Sequence, residues 1–227
     1  MALNNTRWHP FQSQDEINQA AVSRILKAAD EAIEKNDSFL IVLAGGSTPK
    51  AVYQMLGKQT ANWAKWHVYH NDDRCLPVDH ADRNSKMARE AWLNHVAIPA
   101  AQIHDIPAEL GNIEGAKTYA ETLQGVRTFD LVILGLGEDG HTASLFPDQA
   151  VDNSADAVPV SEAPKPPADR ITISEKRLNN ASEVMFLVTG AGKQAAVDNW
   201  RKGINIPAML ITGKQGADVY CFGVALN

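Results

Sequence analysis

The stretch Phe39-Leu-Ile-Val-Leu-Ala-Gly-Gly-Ser-Thr-Pro49 constrains the fold of this chain more than any other. An unbroken apolar run of strand length must be covered on both faces, as strands of parallel sheets are. The glycine pair ends the run, and a proline sits at the start of a new helical stretch, which together make a strand–turn–helix unit. The pattern recurs down the chain. Strands are expected at 66–70, 129–135, 170–174, 184–189, 209–212 and 219–224, and helices at 83–95, 113–123 and 193–202, with a helical turn at 175–180. Upstream, Ile17, Ala20, Ala21, Ile25, Ala28, Ala29, Ala32 and Ile33 form one apolar stripe on a 3.6-residue period. Ser13 is its expected N-cap, with Glu16 completing a capping box. Strands alternating with helices imply an α/β fold: a mostly parallel sheet with helices on both faces. No repeat or linker divides the chain, and the three prolines in 163–168 mark a surface loop, so residues 1–227 are expected to form a single domain.

Composition removes several function classes. A net charge of −6 leaves no basic footprint for nucleic acid. The longest apolar runs are too short to cross a bilayer, and residues 1–11 lack the apolar stretch of a secretory signal. The two cysteines, Cys75 and Cys221, build no disulfide framework. The expectation is a cytoplasmic protein, a monomer or small homo-oligomer, with a small molecule as its partner.

Ligands of such sheets gather at the carboxyl ends of the strands. Three loops there, 44–50, 71–86 and 135–147, carry the unusual residues. In the first, Gly45 and Gly46 can turn backbone N–H groups toward an anion, the following helix N-terminus adds donors and a favourable dipole, and Ser47 and Thr48 add hydroxyls. The loop reads as a phosphate cradle or, more plainly, as a tight turn with a hydroxyl cap. In the second, Asn71-Asp72-Asp73-Arg74 follows a strand and Arg83-Asn84-Ser85 closes the loop. Arg74 suits a phosphate or a developing oxyanion, unless Asp72 or Asp73 claims it in a salt bridge. In the third, Asp139 and His141 flank a glycine after a buried strand. Histidine titrates near neutral pH and can take a proton from water, while a carboxylate can fix its tautomer. Lys193, at a helix start, can meet a phosphate as a point charge.

Other readings of these segments fail. Gly190-Ala-Gly-Lys193 looks like the end of a Walker A loop, but Gln194 replaces the metal-binding hydroxyl and Leu187 stands at the first glycine. Gly135-Leu-Gly-Glu-Asp-Gly140 satisfies the dinucleotide fingerprint, yet Pro147 cuts short the helix that should follow. His67 and His70 lie three apart on a strand and point to opposite faces, so no metal site is expected there. No cofactor is expected. The five tryptophans are read as packing residues.

In this order and at these spacings, the three segments resemble the glucosamine-6-phosphate isomerase/6-phosphogluconolactonase family. The matching blocks are LAGGSTPKAVYQML (43–56), NDDRCLPVDHADRNSKMA (71–88) and FDLVILGLGEDGHTASLFP (129–147), with weaker matches at 166–174 and 188–197. The resemblance implies a modified Rossmann-like sheet, metal-free hydrolysis of a phosphorylated sugar lactone, and His141 as the general base. Asp73 stands where the lactonase branch more often has Glu, and Asn71 replaces a common acidic or apolar residue. Where the isomerase branch carries an acid this chain has Phe146, and where the isomerases have Tyr it has Arg74, so the lactonase branch fits better. On that basis Gly45, Gly46, Ser47, Thr48 and Lys193 would hold the substrate phosphate, with Arg170 as an additional anchor and Asp72 as a further substrate contact. Asp139 would orient His141, and Arg74 would stabilise the oxyanion. A competing sugar-phosphate sensor should carry a DNA-binding helix-turn-helix, and only about a dozen residues precede the first helix.

Overall fold

The computed structural model describes residues 5–150 and 153–226. In chain order the elements are β1 Thr6–Pro10, α1 Gln14–Asn36, β2 Phe39–Leu43, α2 Ser47–Leu56, β3 Trp66–His70, β4 Asp72–Arg74, α3 Asn84–Ala91, β5 Ile103–His104, α4 Asn112–Leu123, β6 Phe129–Gly135, β7 Ala157–Val160, β8 Arg170–Ile173, α5 Glu175–Asn179, β9 Ala181–Thr189, α6 Gln194–Arg201 and β10 Ala217–Phe222. Seven strands form one wholly parallel sheet in the order β1-β10-β9-β6-β2-β3-β5. From β2 the chain steps outward through β3 and β5, then returns to lay β6 on the other side of β2. That reversal opens a crevice at the carboxyl ends of β2 and β6.

Two apolar clusters explain why β2 and residues 131–134 of β6 read as unbroken apolar runs. Phe39, Ile41, Leu43, Leu131 and Ile133 pack beneath α1, α2 and α3, while Leu40, Val42, Val132 and Leu134 pack on the other face against α4 and α6. Every residue of β2 is buried. Of the α1 stripe, Ile17, Ala21, Ile25, Ala28, Ala29 and Ala32 are buried, while Ala20 and Ile33 flank it half-buried. Ser13 caps α1 by accepting the Glu16 N–H at 3.2 Å, but the Glu16 carboxylate reaches back to the N–H of Gln12, one residue before the cap, at 2.8 Å.

Three expectations need correction. Residues 170–174 do form a strand, but β8 belongs to a separate three-stranded antiparallel sheet, β4-β8-β7. The expected strand at 209–212 is absent: Pro207, which lacks an N–H, opens a 3₁₀ turn over Pro207–Leu210 instead. The helix expected over 83–95 ends at Ala91 and continues as a 3₁₀ turn, Leu93–His95.

Candidate active site

The loops after β2, β3, β6 and β9 meet over a cavity of about 430 Å³. Gly45, Gly46, Ser47, Thr48, Asp72, Arg74, His141, Arg170 and Lys193 all line it. Asp139 supports His141 from behind. Residues more than 140 positions apart thus converge at the crevice that the strand order creates.

At the β2 end, Gly46 adopts a φ of 107° and α2 begins at Ser47 with no side-chain cap. The opening N–H groups of a helix have no partner within it, so donors and the positive end of the dipole stand at the cavity wall. The Thr48 hydroxyl pairs with that of Thr189, at the end of β9, at 2.6 Å. Lys193 lines the same wall.

The small second sheet brings two more cations. Its register sets Arg74 directly opposite Arg170. Arg170 is 6% exposed, and its Nε and Nη2 donate to the carbonyls of Lys165, Pro166 and Pro167 at 2.9 to 3.2 Å. Burial pulls its guanidinium below the ordinary arginine value, and Arg74 adds to the drop while Asp72 and Asp73 oppose it. Arg74 donates through Nη1 to the carbonyl of Asp82 at 2.7 Å and to Asn84 Oδ1 at 2.9 Å. Its Nε is closed off from solvent without a partner. Neither Asp72 nor Asp73 forms a salt bridge with it among the described residues. With Lys165, four cationic side chains line a cavity whose lining includes one carboxylate, Asp72. In a chain of net charge −6, that concentration points to an anionic ligand.

His141 sits in the loop after β6. Its Nδ1 lies 2.5 Å from Asp139 Oδ1, and its backbone N–H donates to the same oxygen at 3.1 Å. Burial disfavours the Asp139 carboxylate, but these bonds from His141 outweigh it and hold the carboxyl below its usual range. An ionised carboxylate only accepts, so Nδ1 carries the proton and Nε2 is left as the basic nitrogen. Phe146 packs against the imidazole with ring centroids 4.8 Å apart. Gly137 is required beside this pair, because a Cβ there would come within 2.0 Å of His141 Nδ1.

Asp72 and Asp73 alternate along β4 and do different work. Asp72 lines the cavity, accepting from Ser144 Oγ at 2.6 Å and Asn84 Nδ2 at 2.8 Å. Asp73 is fully buried and receives Arg83 Nε, Ser85 Oγ and the N–H groups of Arg74, Asn84 and Ser85. It caps the N-terminus of α3 from a neighbouring strand, a favourable place for negative charge.

Sequence reasoning missed Lys165, Thr189 and the role of Asn84. Thr189 had a usable signal, the carboxyl end of a buried strand four residues before Lys193. Lys165 had none, since it reaches the cavity through a proline-rich loop held by Arg170. His67 and His70 part as expected: His70 pairs with Asp105 at 3.0 Å, and His67 stacks near His104. Among the described residues, no three His, Cys, Asp or Glu side chains are placed to hold a metal ion. None of the described helices is long and apolar enough to cross a membrane.

A profile of the family described as glucosamine-6-phosphate isomerases/6-phosphogluconolactonase matches residues 12–220. A 6-phosphogluconolactonase of Synechocystis is 41% identical over 176 residues, covering 74% of this chain and 73% of that protein. One of Mycobacterium tuberculosis is 34% identical over 224 residues, covering 90% and 91%. The crystal structure of 6-phosphogluconolactonase from Thermotoga maritima superposes with a TM-score of 0.89 at 27% identity, covering 96% of this chain and 99% of that one. By sequence and by fold, the chain belongs to the glucosamine-6-phosphate isomerase/6-phosphogluconolactonase family.

Proposed function

We propose that this chain hydrolyses 6-phospho-D-glucono-1,5-lactone to 6-phosphogluconate as a cytoplasmic enzyme of the oxidative pentose phosphate pathway. One observation carries the reading: a histidine paired with a carboxylate at 2.5 Å opens onto a cavity otherwise dominated by cations. That combination suits attack by water on an anionic substrate. In this reading the N-terminus of α2, the Ser47 and Thr48 hydroxyls, Lys193 and Arg170 hold the phosphate. Binding the remote phosphate places the lactone carbonyl beside the base.

His141 Nε2 takes a proton from water as the oxygen attacks C1. Negative charge then develops on the carbonyl oxygen, and the Arg74 guanidinium at the cavity wall stabilises it. The tetrahedral intermediate collapses with cleavage of the C1–O5 bond, and the proton on His141 passes to O5. The new carboxylic acid ionises, giving the open-chain product. Asp139 supports the imidazolium between the two transfers, and Asp72 accepts from sugar hydroxyls.

The test is His141→Asn, assayed on the phosphorylated lactone with spontaneous hydrolysis subtracted at every pH. Loss of a positioned base should lower kcat by roughly 10²- to 10⁴-fold. A general base works only while it is unprotonated, so wild-type kcat/KM should fall in acid. A folded variant keeping more than about a third of wild-type kcat would assign water activation to another group.

A further inference from the structure

We propose that Asn84 is the positioning residue that aims Arg74 at the reacting carbonyl and ties it to Asp72. The inference rests on the reading of Arg74 given above and extends it. Asn84 is 4% exposed and is the first residue of α3. Its side-chain carbonyl accepts from Arg74 Nη1 at 2.9 Å, and its amide nitrogen donates to Asp72 Oδ1 at 2.8 Å and to the Asp72 carbonyl at 3.1 Å. One planar amide therefore spans the cation and the carboxylate of the cavity wall. Its two ends are not interchangeable, since a guanidinium can only donate and a carboxylate can only accept.

The amide is itself immobilised. Its backbone N–H donates to Asp73 Oδ1 at 2.8 Å, which ties it to the buried Asp73–Arg83 pair. On the other side Asn84 lies against the loop after β2, so close that a Cβ on Gly45 would come within 2.0 Å of its Oδ1. Gly45 is needed there for close approach. Asn84 thus touches the phosphate-side loop, the oxyanion cation and the sugar-side acid at once. Without its carbonyl, Arg74 would keep the Asp82 carbonyl as an acceptor and could swing about that contact.

A double-mutant cycle in kcat separates positioning from mere structure. Asn84→Ala, Arg74→Ala and the double variant are assayed on 6-phosphogluconolactone, with melting temperature measured in parallel. Asn84→Ala is expected to cost about tenfold in kcat with a smaller change in KM, and less than about twofold once Arg74 is already alanine. Equal costs in both backgrounds would overturn the proposal while leaving the role of Arg74 intact. An Arg74→Ala enzyme with wild-type kcat would overturn both. Should Asn84→Ala not fold, Asn84→Ser, which leaves room for a water on Asp72, enters the same cycle with the same outcomes.

Discussion

Two aspartate and arginine sets share the loop after β3, and they do opposite things. Asp73 and Arg83 are sealed at 0% and 2% side-chain exposure, with Arg83 Nε on Asp73 at 2.8 Å. Arg83 also donates to the Leu76 and Ile106 carbonyls and to Glu109, so all three of its nitrogens are engaged. Asp72 and Arg74 face the cavity and meet only through Asn84, and among the described residues Arg74 Nη2 has no protein partner. Saturation separates the two sets. A charge whose bonds are all made inside the protein holds the fold, and one with bonds left over is available to a ligand.

The sharpest way to break this contrast is to remove Arg83. Arg83→Met leaves Asp73 buried without its counter-ion, and breaking a buried pair this way costs about 3–5 kcal/mol. Urea unfolding should show that loss, with kcat per folded molecule falling far less than it does in Arg74→Ala. A variant of wild-type stability but impaired kcat would mean that Arg83 belongs with the chemistry.

Arg74→Ala should show the converse. Loss of one oxyanion donor costs roughly 10²- to 10³-fold in kcat. Since Arg74 has no ionic partner to strand, the midpoint of unfolding should barely move. A stability loss rivalling that of Arg83→Met would erase the distinction.

Sequence reasoning assigned Arg74 to the oxyanion and Arg83 only to the close of the loop, but it could not see how many bonds either makes inside the protein. Loop position is visible in sequence, whereas saturation depends on carbonyls such as Leu76 and Ile106 that any residue can supply. The same limit shaped the fold. β2 and residues 131–134 of β6 were legible because a doubly covered strand is built from a continuous apolar run. β4 was not, since Asp-Asp-Arg has no apolar period and is held by pairing with β8. β7 contains Pro159, tolerated because that strand is an edge, and the polar β1 is an edge of the large sheet with a half-exposed pattern. The Asp139–His141 pair was readable because both residues sit in one short turn. Asn84 was visible only as part of the loop, since its role comes from three segments meeting in space.

Lys193 extends the contrast to the phosphate side. It is half-buried at the cavity wall and makes no ion pair among the described residues, so it should behave as Arg74 does toward stability. A hydrogen bond to a charged group contributes about 1.5–3 kcal/mol, so Lys193→Ala should raise KM by roughly ten- to a hundredfold. kcat should fall less, as remote binding energy also helps position the reacting carbon. Gluconolactone without its phosphate should be a poor substrate for wild type and nearly indifferent to the substitution. Equal kcat/KM for the two lactones in wild type would remove the phosphate site.

A third pair lies between the extremes and supplies the smallest effect. Asp105 accepts from His70 Nε2 at 3.0 Å and from Arg89 Nε at 2.7 Å, with its side chain 29% exposed. Burial alone would raise its carboxyl, but the bonds and charges of His70 and Arg89 prevail and bring it from 3.8 down to about 2. A carboxyl depressed in the folded state favours folding wherever it is ionised, above its unfolded value, and that contribution fades as pH falls toward the folded one. The shift corresponds to about 2 kcal/mol, and solvent screening at a partly exposed site trims it toward about 1. Asp105→Asn should therefore be less stable than wild type by about 1–2 kcal/mol at pH 6, with the gap closing between pH 4 and pH 2. The catalytic parameters at pH 7 should not change, because Asp105 does not line the catalytic cavity. A stability gap that persists unchanged to pH 2 would mean that the asparagine disturbs packing. Asp105 would then owe its place to shape, and saturation would no longer order the three pairs.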